Sequence, residues 1–199
     1  MNIGILASHN GTNLQAMIDA HEHGRLDAKI AVVISNNSKS GALERAKRYG
    51  IQYYHFSSKT HPDINSLDKA ICNTLEEAAV DVVFLAGYMR KLGIRTLTRF
   101  KGKILNTHPA LLPKFGGKGM YGMNVHNAVI KAGEKESGVS IHIVDSEYDT
   151  GPVIQQCKVN IYPKDTPELL CERVMNCERK FVVETLQKIA HKELKLDIV

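Results

Sequence analysis

Three polar residue types in this chain stand where they could move an acyl group. Asn106 and His108 are two apart in Ile104-Leu105-Asn106-Thr107-His108-Pro109, directly after a short apolar run. Asp149 follows much later, in Asp149-Thr150-Gly151-Pro152. An extended backbone turns residues two apart to the same side, so Asn106 and His108 are expected to share a face. An amide N–H stabilises a developing oxyanion, an imidazole holds or transfers a proton, and a carboxylate sets the charge of that imidazole. Each also has a plain structural role: His108 as a buried structural histidine, Asp149 as a turn-forming residue before Thr-Gly-Pro. The end of a strand is where ligands gather on open α/β sheets, which favours the chemical reading of His108.

A second feature is the loop Ser8-His9-Asn10-Gly11-Thr12-Asn13, which joins a strand to the start of a helix. The first N–H groups of a helix lack intrahelical partners and its dipole favours an anion, so the loop is a candidate phosphate cradle. The alternative is an ordinary turn with Asn10 or Thr12 as the helix cap. The pattern is neither a Walker loop nor G-x-G-x-x-G. No G-x-S-x-G elbow is present, no cysteine stands near the Asn106–His108 turn, and no His/Cys/Asp set has zinc spacing. Direct attack by a substrate amine, without a covalent enzyme intermediate and without a metal, fits these residues best.

The elements that must position these groups alternate between apolar runs and helix-period segments, which indicates an α/β fold with a mostly parallel, Rossmann-like sheet. Strands are predicted at 3–7, 29–35, about 52–55, 80–86 and 103–106. Helices are predicted over Leu14, Met17 and Ile18, over 42–49, from about 65 to 79, and from about 124 to 132. Residues 138–144 alternate, with Val139, Ile141 and Ile143 on one face and Ser140, His142 and Val144 on the other; 152–161 reads as their partner strand. His142 is taken as a strand residue. Thr166-Pro167 opens a long C-terminal helix, with threonine as cap and proline at the first helical position. Four glycines between Phe115 and Gly122 mark a loop expected to order when ligands bind.

The composition suits one domain over residues 1–199, with 43% hydrophobic and 24% charged residues. A phosphate-binding first half and a catalytic second half are expected. No run spans a bilayer and the N-terminus lacks a signal-like basic segment, so a cytoplasmic protein is expected. The net charge of +5 is spread along the chain and suits an anionic substrate more than nucleic acid. Cys72, Cys157, Cys171 and Cys177 show no paired spacing and are expected as buried or half-buried thiols.

Four segments in order resemble the folate-dependent phosphoribosylglycinamide formyltransferases: Asn10 to Ala16, Phe84 to Arg90, Asn106 to Pro113, and Asp149 to Ile154. The resemblance implies a single formyltransferase domain with helices on both sheet faces and an antiparallel strand near the C-terminus. It implies transfer of a formyl group from 10-formyltetrahydrofolate to the amine of 5'-phosphoribosylglycinamide, in purine synthesis. Asn106, His108 and Asp149 would be catalytic, with Asp149 keeping His108 charged. Gly11, Thr12 and Asn13 would hold the ribotide phosphate and Glu178 its ribose side. Tyr88, Met89, Arg90, Leu92, Val144, Asp145 and Tyr148 would line the folate cleft, and Pro113 stands where the family commonly has a cis-proline. The partners implied are small molecules, with no nucleic acid or membrane, in a monomer or homodimer. Two departures are His9, where a small residue is expected, and the absence around Ile64–Leu67 of an arginine associated with the substrate side, for which Lys59 could compensate. A nucleotide-sugar N-formyltransferase is the nearest alternative. Formyltetrahydrofolate hydrolases and methionyl-tRNA formyltransferases are set aside on the expectation that each carries a further domain. A non-catalytic nucleotide- or RNA-binding domain is the alternative of another class.

Overall fold

The computed structural model describes residues 1–196. Its strands are β1 (Asn2–Ala7), β2 (Lys29–Ser35), β3 (Gln52–His55), β4 (Val82–Leu85), β5 (Ile104–His108), β6 (Glu136–Ile143) and β7 (Val153–Asn160). The helices are α1 (Thr12–Glu22), α2 (Gly41–Arg48), α3 (Ile64–Glu77), α4 (Ile94–Arg99), α5 (Met123–Lys131) and α6 (Pro167–Ala190). The strands form one sheet in the order β3-β2-β1-β4-β5-β6-β7. The first five are parallel, and β6 runs antiparallel to both β5 and β7. β6 is therefore the antiparallel strand that the resemblance implied.

The apolar runs are continuous because both faces of the sheet are covered. Along β1, Ile3, Ile5 and Ala7 enter the core beneath α1, α2, α5 and α6, while Leu6 enters the core beneath α3 and α4. Phe84 and Val83 of β4 divide in the same way, as do Leu105 and Ile104 of β5. On α6, Leu170, Val174, Phe181, Leu186 and Ile189 are all buried. The predicted cap of α6 is present: Leu169 N–H donates to Thr166 Oγ1 at 3.3 Å, and Pro167 follows it.

The chain winds outward from β1 to β3 and then returns to the other side of β1 as β4. The connections leaving β1 and β4 therefore diverge, and a crevice opens between them at the carboxyl ends of the strands. The phosphate-loop candidate follows β1 and the Tyr88 segment follows β4. Topology alone puts both at one rim.

Two expectations change. β5 extends to His108, so Asn106 and His108 lie within the strand and not in a turn after it. Cys157 of β7 and Cys177 of α6 bring their sulfurs against each other, a pairing the sequence did not anticipate. Packing of α6 across β7 brings together residues whose spacing carries no signal. Cys72 and Cys171 are free.

Candidate active site

β5 and β6 build the centre of the site by their register. Asn106 stands opposite His142, and His108 opposite Ser140. His142 Nδ1 donates to the Ile143 carbonyl at 3.0 Å, which leaves Nε2 to accept from Asn106 Nδ2 at 3.1 Å. One amide hydrogen of Asn106 is thereby committed, and the second is left for another acceptor. Ser140 Oγ donates to the Ala110 carbonyl at 2.7 Å and accepts from Leu112 N–H at 2.9 Å, fixing the chain that leaves β5 to the neighbouring strand. The Leu112–Pro113 peptide in this segment is cis, as the resemblance implied.

Asp149 reaches this centre from the β6–β7 connection, in left-handed backbone with φ 59°. Asp and Asn adopt that conformation more readily than other L-residues. Its Oδ2 lies 3.3 Å from His108 Nδ1 and its Oδ1 3.4 Å from His142 Nε2. Gly117 N–H donates to Asp149 Oδ2 at 2.9 Å, while His108 Nε2 donates to the Phe115 carbonyl at 2.7 Å. The start of the glycine-rich loop is thus pinned to the very groups it covers. The structure brings Asn106, His108 and Asp149 together and adds His142, which sequence reasoning left as a plain strand residue. The signal for His142 was its shared face with Ser140; what was missing was the register that sets it against Asn106.

Burial pushes the His108 imidazole below its ordinary value, and the Asp149 carboxylate and Phe115 carbonyl oppose that shift. The expectation that Asp149 keeps His108 charged therefore meets a larger opposing effect in the free protein. Burial also pushes the Asp149 carboxyl up, but His142, the Gly117 N–H and His108 outweigh it and hold the group below its ordinary value. Asp149 is ionised at neutral pH.

These directions set a pH dependence. His126 of α5 is likewise pushed down by burial, and its Nδ1 has no partner among the described residues. A histidine with a lowered folded-state value binds its proton more readily when unfolded, so stability falls as pH drops below about 6.5 toward the folded value. The exposed His191–Asp27 pair acts in the opposite sense, because Asp27 raises His191, but solvent screens that contact. Melting followed from pH 7.5 to 5.5 is expected to show a falling midpoint. The fall should be smaller in His126→Gln, which cannot take up the proton.

A cleft of roughly 510 Å3, counting its open mouth, adjoins this centre. Tyr88, Arg90, Leu92, Val144, Asp145 and Tyr148 line it together with Asn106, His142 and Asp149. Met89 does not line it: that side chain is exposed, and its N–H donates to Ser8 Oγ at 2.8 Å. Burial pushes the Tyr88 hydroxyl up to about 12, so it remains a neutral donor. Lys91, not singled out in the sequence, spans the mouth. Its Nζ donates to the Ser146 carbonyl at 3.1 Å and sits 4.9 Å from the Tyr148 ring.

The loop after β1 leads into the open end of α1. The N-cap of α1 is Gly11, in left-handed backbone with φ 67°, and it takes no side-chain cap, so neither Asn10 nor Thr12 occupies the helix end. Asn13 is buried; its Nδ2 donates to Glu178 Oε1 at 2.9 Å and its Oδ1 has no partner among the described residues. Glu178 also pushes the His108 value up, more weakly than Asp149 and the Phe115 carbonyl. His9 is exposed. This end of α1 thus offers N–H donors for an anion and carboxylate and amide oxygens for hydroxyl groups.

Among the described residues, no helix is long and apolar enough to cross a membrane, and no group of His, Cys, Asp and Glu is arranged to hold a metal ion. The chain is 34% identical to the phosphoribosylglycinamide formyltransferase of Escherichia coli (strain K12), covering 98% of this chain and 90% of that protein. It is 35% identical to the chloroplastic phosphoribosylglycinamide formyltransferase of Arabidopsis thaliana, covering 97% of this chain. It spans 66% of the length of that relative and 62% of a second chloroplastic one. The fold matches the crystal structure of glycinamide ribonucleotide transformylase 1 from Symbiobacterium toebii with a TM-score of 0.90 at 36% identity, over 99% of this chain and 91% of that one. The formyl transferase family profile matches residues 1–186. That span holds the cleft, the loop after β1 and every group that meets Asp149, and the chain belongs to the formyl transferase family.

Proposed function

We propose that this protein transfers a formyl group from 10-formyltetrahydrofolate to the amine of 5'-phosphoribosylglycinamide, a step of purine synthesis. The observation that carries the reading is Asp149, whose two oxygens lie beside His108 and His142 next to Asn106, at the edge of the cleft lined by Tyr88, Arg90 and Tyr148. The relatives named above carry this activity in their names, which supports it. Gly11, Thr12 and Asn13 hold the ribotide phosphate, and Glu178 faces its ribose hydroxyls. Tyr88, Arg90, Leu92, Val144, Asp145 and Tyr148 hold the folate, with Met89 contributing backbone only.

The amine nitrogen attacks the formyl carbon, an N–C bond forms, and the carbonyl electron pair moves to oxygen. The free Asn106 N–H donates to that oxyanion, and the His108 ring stabilises it once the ring takes up a proton and turns an N–H from the Phe115 carbonyl toward it. The new negative charge opposes the burial effect on His108, so the ring gains proton affinity as the charge develops. Asp149 accepts the proton lost by the amine, through water. The oxyanion pair then re-forms the carbonyl as the C–N bond to the folate breaks, and the electron pair left on the folate nitrogen takes the proton held by Asp149, again through water. The residues need no metal for these steps. The protein acts on small molecules, in the cytoplasm, as a single formyltransferase domain in a monomeric or homodimeric enzyme.

The test is an assay with 10-formyltetrahydrofolate against two acceptors, glycinamide ribotide and a nucleotide-linked amino sugar. Rapid formylation of the ribotide alone is expected. Preference for the amino sugar overturns the acceptor assignment, and salt-sensitive RNA binding with no formyl transfer overturns the enzyme reading.

A further inference from the structure

We propose that Arg45 of α2 is a positioning residue for the substrate phosphate: it locks the Asn10–Gly11 peptide so that the Gly11 N–H faces the anion. This rests on the reading that the Ser8–Asn13 loop takes the ribotide phosphate. Arg45 lies outside the loop and is half-buried. Its Nε donates to the Asn10 carbonyl at 2.8 Å and its Nη1 to Gln15 Oε1 at 2.5 Å. Gln15 is itself held, since its Nε2 donates to Asp19 Oδ1 at 2.7 Å and to Tyr49 Oη at 3.0 Å. One planar guanidinium therefore ties the loop to the first turn of α1 through two donors in a fixed fork.

A trans peptide is planar, with its C=O and N–H pointing in opposite directions. Drawing the Asn10 carbonyl toward α2 turns the Gly11 N–H away from α2. The first bonded amide of α1 is Gln15, whose N–H donates to the Gly11 carbonyl at 3.0 Å. Gly11 N–H thus precedes the uncapped amides of the first turn, and fixing its direction sets the edge of the cradle. Close packing against the start of α2 holds the same peptide. A Cβ on Gly41 would lie 3.0 Å from the Asn10 carbonyl oxygen, and one on Gly11 would lie 3.0 Å from Ala42 Cα. Ala42 N–H also donates to the His9 carbonyl at 3.2 Å. The guanidinium charge behind the loop adds to the positive end of the helix dipole. In the first turn of α1, next to this peptide, the buried Oδ1 of Asn13 has no partner among the described residues.

The test compares Arg45→Gln and Arg45→Lys with the unaltered enzyme in steady-state kinetics, with inorganic phosphate as a competing anion. In Arg45→Gln the ribotide KM and the phosphate inhibition constant should both rise about tenfold, the scale of a lost charge-assisted hydrogen bond. Turnover at saturating ribotide and the folate KM should stay within about twofold, since neither involves this peptide. Lysine keeps the charge but cannot hold both partners, so Arg45→Lys should recover only part of the loss. Full recovery by lysine, or a fall in turnover with unchanged ribotide KM, overturns the positioning role. If Arg45→Gln does not fold, Arg45→Lys alone decides: unchanged ribotide and phosphate constants refute the proposal. Direct titration of both proteins with inorganic phosphate separates the two readings. Weakened phosphate binding in a protein that never formylates the ribotide keeps the Arg45 role and removes the proposed function.

Discussion

Replacing Asp149 with asparagine lowers turnover by about three decades and shifts the ribotide KM by less than about threefold. The side chains are nearly isosteric, and asparagine tolerates the left-handed backbone at this position, so the connection between β6 and β7 keeps its path. What changes is charge. The carboxylate opposes the burial effect on His108, and its removal leaves that effect countered only by weaker neighbours. The carboxylate also sets two charged oxygens, one beside His108 and the Gly117 N–H and the other beside His142, where an amide has a single neutral acceptor. Under the proposed function ribotide binding is spared, because the phosphate is assigned to the loop after β1, away from Asp149. Steady-state and single-turnover measurements with glycinamide ribotide check this, and turnover within tenfold of the unaltered enzyme sinks the assignment of Asp149.

The sheet was legible because a strand buried on both faces must be apolar at nearly every position, as 29–35 and 82–85 are. The start of α6 was legible because Thr166-Pro167 acts locally. α4 was not legible for the opposite reason. It is six residues long and its first amides are capped from α3, where Asp68 accepts from Arg95 N–H at 2.7 Å and from Thr96 N–H at 3.1 Å. No local signal can announce a cap supplied by another helix. The site divides along the same line. Asn106 and His108 could be placed on one face by strand period, and the phosphate loop by its position before α1. His142 depends on the register between β5 and β6, which the long connection from His108 to Glu136 leaves open. Lys91 and Arg45 act through contacts across the fold, and the balance of burial against charge at His108 is a property of packing.

Replacing Asn106 with alanine lowers turnover by about two to three decades with little change in either KM, because the lost N–H acts on charge that exists only in the transition state. The size of the effect follows from how the amide is held. His142 Nε2 accepts one of its hydrogens at 3.1 Å, and that imidazole is oriented in turn by the Ile143 carbonyl. The remaining hydrogen is aimed before substrate arrives, so no reorganisation is needed as the oxyanion forms. Asn106→Asp is expected to be worse than alanine, because it replaces the donor with a second carboxylate beside Asp149 and repels the developing charge. His142→Phe should fall between the unaltered enzyme and Asn106→Ala, since it keeps the amide but frees its orientation. Combining His142→Phe with Asn106→Ala should then add little to the effect of alanine alone, which a double-mutant cycle on turnover reads directly. Full additivity in that cycle would mean that His142 acts on the reaction by another route, such as its contact with Asp149.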